Sequence, residues 1–236
     1  MNLSDIHAFV LNVDKELFRY IFFKQNTSDK FPIPIEHKSA IPLEAIRQKY
    51  NKKTYSLKRQ RELSHENTIC SIIREAKEKN WKYILIFEDD AECRYSKEYI
   101  TELIKEIPDD CDLCYLGCYI KRGTGNFKKV KNHIMQMNLK SCNIWGFHGV
   151  ILGKKFYNAL LDKLGNQNNS TIADMSLSVL INKGIFKCYI ANPLIVFQSY
   201  KMNSKQTKSL HDLTFNFDRL EREHNSFVNS HTYQKN

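Results

Sequence analysis

The 236-residue chain lacks the features that would place it in a membrane or divide it into separate units. No run approaches the roughly eighteen apolar residues of a transmembrane helix. The N-terminus has no basic segment followed by an apolar one, so no secretory signal is indicated. Glycine and proline are scarce, and no Gly/Ser-rich linker, proline-rich linker or internal repeat is visible. We therefore expect one domain with one sizeable core, in a cytoplasmic compartment.

A sequence pattern that indicates disulfides is also missing, since the seven cysteines are an odd number. Most of them lie in apolar segments, which indicates buried, reduced thiols. Cys111 and Cys114 have the spacing of a zinc half-site, but they fall in or beside a predicted strand. Strand positions three apart point to opposite faces, so a shared zinc ion is disfavoured.

Positive charge is what the chain has in excess, with a net charge of +10. It is concentrated in two loop-like stretches, at residues 52–61 and 121–131. Such stretches can attract an anionic partner. The alternatives are a nucleotide diphosphate, an acidic glycan and an anionic membrane surface. Nucleic acid is not expected, because no nucleic-acid-binding motif accompanies the charge.

Apolar patterns predict alternating strands and helices in the first half of the chain. Strands are expected at residues 8–12, 31–35, 83–88 and 112–116, the second confined to an edge or strand end by its prolines. Helices are expected at 16–23, after Ser64 and around 99–107, and residues 46–61 read as a basic, flexible stretch. The order predicts an α/β fold with a mostly parallel central sheet flanked by helices.

The second half is less regular. Residues 145–152 combine two glycines, two aromatics and a histidine before a short apolar run. Helices are expected around 156–164 and from residue 171, and strand fragments around the proline in 189–197. Beyond Ser199 the chain becomes polar. We predict a main domain over residues 1–204 and a polar tail over 205–236 with one weak helix near 213–222.

Three carboxylates end the strongest predicted strand, which reads Tyr-Ile-Leu-Ile-Phe before Glu88, Asp89 and Asp90. Ligands of open α/β sheets bind outside the carboxyl ends of such strands. Adjacent acids repel one another, and their crowding is easiest to explain if a cation lies there. The alternative is an acidic turn without a ligand.

Four short blocks follow one another over residues 6–200. They are Phe9-Val-Leu-Asn12-Val-Asp14, Leu63-Ser64-His65, Ile84-Leu-Ile-Phe-Glu88-Asp89-Asp90, and a segment from Phe147-His148-Gly149 through Asp174 to Gln198. In this order they resemble glycosyltransferase family 25, which contains bacterial lipooligosaccharide galactosyltransferases and collagen glycosyltransferases. The chain departs from the family pattern at residues 58–62, where a glycine-rich block is usual, and at Ile172, where proline is usual.

The resemblance implies a single glycosyltransferase-A-type domain that transfers a hexose from a nucleotide-diphosphate sugar, with a UDP-sugar as the first choice, and with inversion. The acceptor would be a hydroxyl of a glycan or glycoprotein. Negative charge on the departing diphosphate calls for a divalent cation, for which carboxylates suit Mn²⁺ or Mg²⁺. Asp90 would be the direct ligand, with Glu88 as a second. The third ligand stays open between Gln198 and His211.

The same resemblance assigns the remaining site residues. An inverting displacement needs a base, and Asp174 is the candidate, although Thr171 and Asp174 also fit a capping box. The donor contacts would be Asn12, Ser64, His65, Glu88 and Asp89, with Ser64 alternatively a helix cap. Trp145 and His148 would contact the acceptor, or serve only in packing.

Two other functions compete. Nucleotidyl transfer also uses acidic clusters on α/β sheets, but it predicts a glycine-rich phosphate loop after the first strand, where residues 13–15 contain no glycine. A catalytically inactive glycosyltransferase-like module that binds a nucleotide or glycan is the alternative from a different class.

Overall fold

A computed structural model describes residues 1–50, 55–120, 126–138, 144–165 and 172–199. Its first half contains β1 (Ile6–Asn12), α1 (Leu17–Asn26), β2 (Ile35–Ser39), α2 (Leu43–Tyr50), α3 (Leu57–Glu78), β3 (Tyr83–Glu88), β4 (Ala91–Cys93) and α4 (Lys97–Glu106). Its second half contains β5 (Leu113–Ile120), β6 (Asn126–Lys129), β7 (Ile134–Asn138), β8 (Ile144–Gly153), α5 (Lys154–Gly165), α6 (Ala173–Ile181), β9 (Cys188–Ala191) and β10 (Val196–Gln198).

Eight strands form the central sheet in the order β2-β1-β3-β8-β5-β9-β7-β6. The pairs β1–β2, β1–β3 and β5–β9 are parallel, whereas β8 and β7 run antiparallel to each of their neighbours. Most strands therefore point the same way, and the predicted α/β class with helices on both faces is confirmed. Strands β4 and β10 form a separate two-stranded sheet.

Strand β3 shows why the sheet is covered on both faces. Its apolar side chains alternate: Ile84 and Ile86 join one core cluster with α3, α5 and α6, whereas Tyr83, Leu85 and Phe87 join the other with α4. All five are at most 2% exposed. Each such side chain stabilises the fold by about 1.5–3 kcal/mol, which fixes β3 and the acids that follow it at the centre of the molecule.

The basic stretch at 46–61 was wrongly predicted to be a flexible loop. Its described parts are helical, in α2 and in the first turns of α3. Ser56 caps α3 by accepting a hydrogen bond from the Arg59 amide at 3.2 Å. Arg59 in turn binds the carboxylate of Glu66 at 2.8 Å. Polar pairs of this kind stabilise the first turns of α3, which have no apolar periodicity to reveal them.

The second strand begins later than predicted, at Ile35 rather than at residue 31. Pro32 and Pro34 have no amide hydrogen for a strand ladder, which explains the shift. Phe31 and Ile33 are nevertheless buried. The apolar residues that suggested a strand therefore serve the core as a bent segment.

Strand β10 crosses directly over β5. A β-carbon added at Gly117 of β5 would lie 2.1 Å from the carbonyl oxygen of Val196, so only glycine permits this approach. The Ile195 amide donates to the Leu116 carbonyl at 2.9 Å, and the Ser199 amide to the Asp90 carbonyl at 2.7 Å. The crossing brings the end of β10 against the acids that follow β3.

Two further expectations concern the thiols and the membrane. Six cysteines lie in the described residues, and all six are buried and outside any disulfide, as predicted. Among those same residues no helix combines the length and apolarity needed to cross a bilayer. The expected tail at 205–236, with its weak helix, lies outside the described residues.

Candidate functional site

The carboxyl ends of β1 and β3 form the floor of the site. Strand β1 lies between β2 and β3 in the sheet. The chain therefore passes from β1 to β2 on one side of β1 and then to β3 on the other side. Such a reversal opens a crevice at the carboxyl ends of the strands, where α/β proteins bind ligands. Asn12 ends β1 and Glu88 ends β3, which places the acidic triplet at this crevice.

Asp89 is held from both sides. The Asn12 side-chain amide donates to its Oδ2 at 2.7 Å, and the Nε of Arg19 donates to its Oδ1 at 2.8 Å. A second guanidinium nitrogen of Arg19 also binds Oδ1. Both carboxylate oxygens of Asp89 are therefore engaged, and they hold the side chains of Asn12 and Arg19 together at the ends of β1 and β3.

Asp90 has one engaged and one unengaged oxygen. Its Oδ2 accepts a hydrogen bond from the Gln198 amide at 3.0 Å and lies 3.2 Å from a guanidinium nitrogen of Arg19. Its Oδ1 is buried and has no hydrogen-bond partner among the described residues. Burial and the negative charge of Glu88 raise the pKa of Asp90. A bound cation would offset both effects by favouring the ionised form.

Glu88 lies between two imidazole rings. Nδ1 of His148 is 3.1 Å from one carboxylate oxygen, and Nε2 of His65 is 3.4 Å from the other. Burial would raise the pKa of Glu88, but the hydrogen bond and charge of His148, followed by the charges of His65 and Arg19, lower it to about 2. Glu88 is therefore ionised at neutral pH.

His148 is almost completely buried, with 3% of its surface exposed. Burial alone would lower its pKa, but Glu88, and then the charges of Asp90 and Asp174, raise it. Its Nε2 has no hydrogen-bond partner within the described residues. A β-carbon at Gly146 would lie 2.7 Å from this nitrogen, so the glycine keeps the space beside the ring open.

Glu88, Asp90 and His148 can hold a divalent cation. Each offers one ligand atom, and these atoms lie within 4.8 Å of one another; no other such group of three occurs in the described part of the chain. The buried Asp90 Oδ1 and His148 Nε2, both lacking partners there, fit this use. Two carboxylates and an imidazole suit Mn²⁺ better than Mg²⁺, which prefers oxygen ligands.

Asp174 reaches the same site from the start of α6. Its Oδ2 accepts a hydrogen bond from the Gly146 amide at 3.0 Å, and Gly146 has a φ of +102° that favours glycine. The helix starts after Ile172 without a side-chain cap, and Thr171 lies outside the described residues. Burial and the charge of Glu88 raise the pKa of Asp174, which makes its carboxylate a stronger base.

Two aromatic side chains stand at the edge of the site. Trp145 on β8 is 51% exposed, and Tyr119 faces it from β5 as its partner in the strand pairing. The Tyr119 hydroxyl donates to the Gln198 side-chain oxygen at 2.8 Å, and its ring meets the His148 ring edge-on at 5.0 Å. Tyr119 is also exposed, at 43%, so both side chains reach the solvent.

Of the residues expected at the site, the structure brings together Asn12, His65, Glu88, Asp89, Asp90, Trp145, His148, Asp174 and Gln198. Ser64 is different. It lies within α3 instead of capping it, and its hydroxyl donates to the Ile41 carbonyl at 2.5 Å. His211 lies outside the described residues.

Sequence reasoning missed Arg19 and Tyr119. Arg19 is on α1, which directly follows the strand that ends at Asn12, so its nearness to that strand end was a usable signal. Tyr119 gave no such signal. Its position depends on irregular pairing between β5 and β8 on either side of Gly117.

No protein-family model matches the sequence, and no curated protein matches it. Among solved structures, the chain is similar to a glycosyltransferase involved in the glycosylation of the major capsid of PBCV-1. The TM-score is 0.51 at 10% identity, and the alignment covers 93% of this chain and 98% of that one.

Two weaker similarities support no further conclusion. A mannose-1-phosphate geranyltransferase from Thermus thermophilus aligns with a TM-score of 0.42 at 7% identity, covering 82% of this chain and 74% of that one. An apo UDP-glucose pyrophosphorylase aligns with a TM-score of 0.40 at 8% identity, covering 79% and 90%. Identities this low show a fold and not an activity, and none of these matches identifies family 25. The fold of this chain is that of a glycosyltransferase-A-type domain.

Proposed function

We propose that the protein is a metal-dependent glycosyltransferase. It transfers a hexose from a nucleotide-diphosphate sugar, of which a UDP-sugar is the first choice, to a hydroxyl of a glycan or glycoprotein, with inversion. The observation that carries the proposal is the buried Asp90 oxygen without a partner among the described residues, which follows β3 where the strand order reverses around β1. The similarity of fold to a glycosyltransferase agrees with it.

The donor would lie along the carboxyl ends of β1 and β3. Asn12, His65, Glu88 and Asp89 lie at or beside these strand ends and would contact the donor. Ser64 would contribute indirectly, since its hydroxyl holds the chain at Ile41 beside α3. Asp90 and His148, with Glu88, would hold the cation. A divalent cation supplies positive charge that offsets the charge building on the departing diphosphate.

Asp174 would act as the base. It accepts the proton of the acceptor hydroxyl as that oxygen bonds to the anomeric carbon, and the bond from this carbon to the donor phosphate breaks to release the nucleoside diphosphate. The Gly146 amide fixes the direction of its carboxylate. Trp145 offers an exposed ring for stacking against an acceptor sugar. His148, predicted to contact the acceptor, is better placed as a cation ligand because its ring is buried.

A thermal-shift screen of nucleotide sugars with and without Mn²⁺ tests the proposal. One UDP-sugar should raise the melting temperature only when Mn²⁺ is present, and Asp90→Ala should lose that effect. Asp110→Ala is the matched control, because its carboxylate is half-exposed and lies just before the amino end of β5. Release of free sugar from the same donor distinguishes an enzyme from an inactive binding module. Indifference to every nucleotide sugar would contradict the proposal.

A further inference from the structure

Tyr119 contacts His148, one of the side chains proposed to hold the cation. It is linked to a second one, Asp90, through Gln198. Its ring lies edge-on to His148, with ring centroids 5.0 Å apart. Its hydroxyl donates to Oε1 of Gln198 at 2.8 Å, and Nε2 of Gln198 donates to Asp90 Oδ2 at 3.0 Å. A continuous chain of hydrogen bonds therefore runs from the edge of the site to the buried carboxylate.

The direction of this chain depends on the orientation of one amide. Gln198 has an oxygen that only accepts and a nitrogen that only donates, so it can approach a carboxylate favourably with one end alone. If the amide were turned over, its oxygen would face Asp90 Oδ2 and repel it. Asp90 Oδ2 therefore sets the orientation of the amide, and the Tyr119 hydroxyl anchors its other end in place by donating to Oε1.

The orientation of Gln198 determines which oxygen of Asp90 is left to bind a cation. Oδ2 is engaged by Gln198 and Arg19, whereas Oδ1 is buried and lacks a partner in the described part of the chain. The crossing of β10 over Gly117 places Gln198 for this task. The register between β10 and β4, which pairs Gln198 with Ala91, sets it beside the acids.

We propose that Tyr119 is a positioning residue for the cation site, acting through Gln198 to keep Asp90 Oδ1 directed at the ion. The inference rests on the proposed function, because it requires a cation at Glu88, Asp90 and His148. Outer partners of metal ligands fix the ligand's direction, and their loss weakens metal binding. Tyr119 itself does not touch the ion.

The test is a titration of the whole protein with Mn²⁺, in which electron paramagnetic resonance measures the concentration of free ion. This readout does not depend on turnover. Tyr119→Phe keeps the ring against His148 and removes only the hydroxyl, and it should weaken Mn²⁺ binding about fivefold. Gln198→Leu should weaken it by about tenfold or more, because its hydrogen bond is to a charged group. The double variant should match Gln198→Leu alone.

Tyr189→Phe is the control. It also removes a tyrosine hydroxyl that contacts a carboxylate, but Tyr189 is on β9 and its partner is Asp110. Its Mn²⁺ affinity should equal that of the unaltered protein. Melting temperatures of all variants show that each is folded.

The outcomes separate the inference from the proposal beneath it. Unchanged affinity in Tyr119→Phe overturns the inference and leaves the proposed function standing. Effects of Tyr119→Phe and Gln198→Leu that multiply in the double variant also overturn it, because Tyr119 would then act independently of Gln198. No Mn²⁺ binding by the unaltered protein overturns the metal-dependent function, and the inference with it.

Discussion

Charged side chains are exposed and paired at one end of the sheet, and buried and incompletely paired at the other. At the amino ends of β5 and β9, Lys187 and Asp110 form an ion pair in which both side chains are about half exposed, at 52% and 50%. At the carboxyl end of β3, Asp89 and Asp90 are buried, and Asp90 keeps an oxygen without a partner in the described part of the chain. Burying a charged group without full pairing costs free energy. The costly end is therefore the one where we propose the functional site.

The same contrast appears in the charges that surround the acids. Arg19, His65 and His148 compensate the triplet only in part, since burial and Glu88 still raise the pKa of Asp90. The exposed pair at the other end needs no such help, because water solvates both groups. Incomplete compensation inside the protein leaves the site ready for one more cation.

The largest expected effect comes from Asp174→Asn, which removes the proposed base and keeps the shape of the side chain. Turnover should fall by about 10²–10⁴-fold. Donor and Mn²⁺ affinities should stay within a factor of about three, because the asparagine oxygen can still accept the Gly146 amide. Steady-state kinetics measure the turnover, and titrations with donor and with Mn²⁺ measure the affinities. Unchanged turnover in Asp174→Asn would contradict the proposed base and leave Asp174 only a structural role at the start of α6.

Asp90→Asn should weaken Mn²⁺ binding by about 100-fold. The melting temperature without metal should not fall, because burial already opposes ionisation of Asp90. Asp110→Asn, at the exposed end, should leave Mn²⁺ affinity unchanged. A metal titration and a melting curve on each variant make the comparison. Equal Mn²⁺ affinity in both variants would erase the proposed difference between the two ends.

Gly117→Ala tests the crossing that brings β10 to the acids. The added methyl would meet the Val196 carbonyl at 2.1 Å, and the protein should lose about 2–3 kcal/mol in free energy of unfolding. Denaturant unfolding measures the loss. Gly184→Ala is the control: its φ is +68°, but nothing lies within 4 Å of an added β-carbon, so the loss should be about 1 kcal/mol.

Arg19→Ala gives the smallest effect on stability that we expect to resolve. It removes charged hydrogen bonds to Asp89 and an ion pair with Asp90, which should cost about 1–2 kcal/mol in free energy of unfolding. Lys187→Ala, which breaks the exposed pair, should produce no measurable change. Denaturant unfolding of both variants provides the comparison. A larger loss for Lys187→Ala would contradict it.

Local patterns in the sequence predicted the centre of the fold well. The continuous apolar run before Glu88 indicated a strand covered on both faces, and β3 is such a strand. The helix α4 followed from the spacing of its buried residues Ile100, Leu103 and Ile104. In both cases burial imposes a period on the sequence that can be read directly.

The remainder could not be read in this way. The hydrogen bond between Gln198 and Asp90 joins residues 108 apart, and nothing local indicates that β10 passes over Gly117. Ser64, considered as a donor contact or as a helix cap, lies inside α3, and Ser56 caps the helix. The earlier start could not be predicted because the first turns of α3 are polar and have no apolar period. The acids were found because they adjoin β3. Their partners His65 and His148 lie inside α3 and β8 and were named only through the family resemblance, and Arg19 was missed.

Diffraction from crystals soaked with Mn²⁺ and uridine diphosphate is the decisive measurement for the cation site. We predict an anomalous peak for manganese within bonding distance of Asp90 and His148, with the diphosphate on its far side. Nucleotide bound elsewhere, with no manganese between Glu88, Asp90 and His148, would contradict the proposed role of the acids.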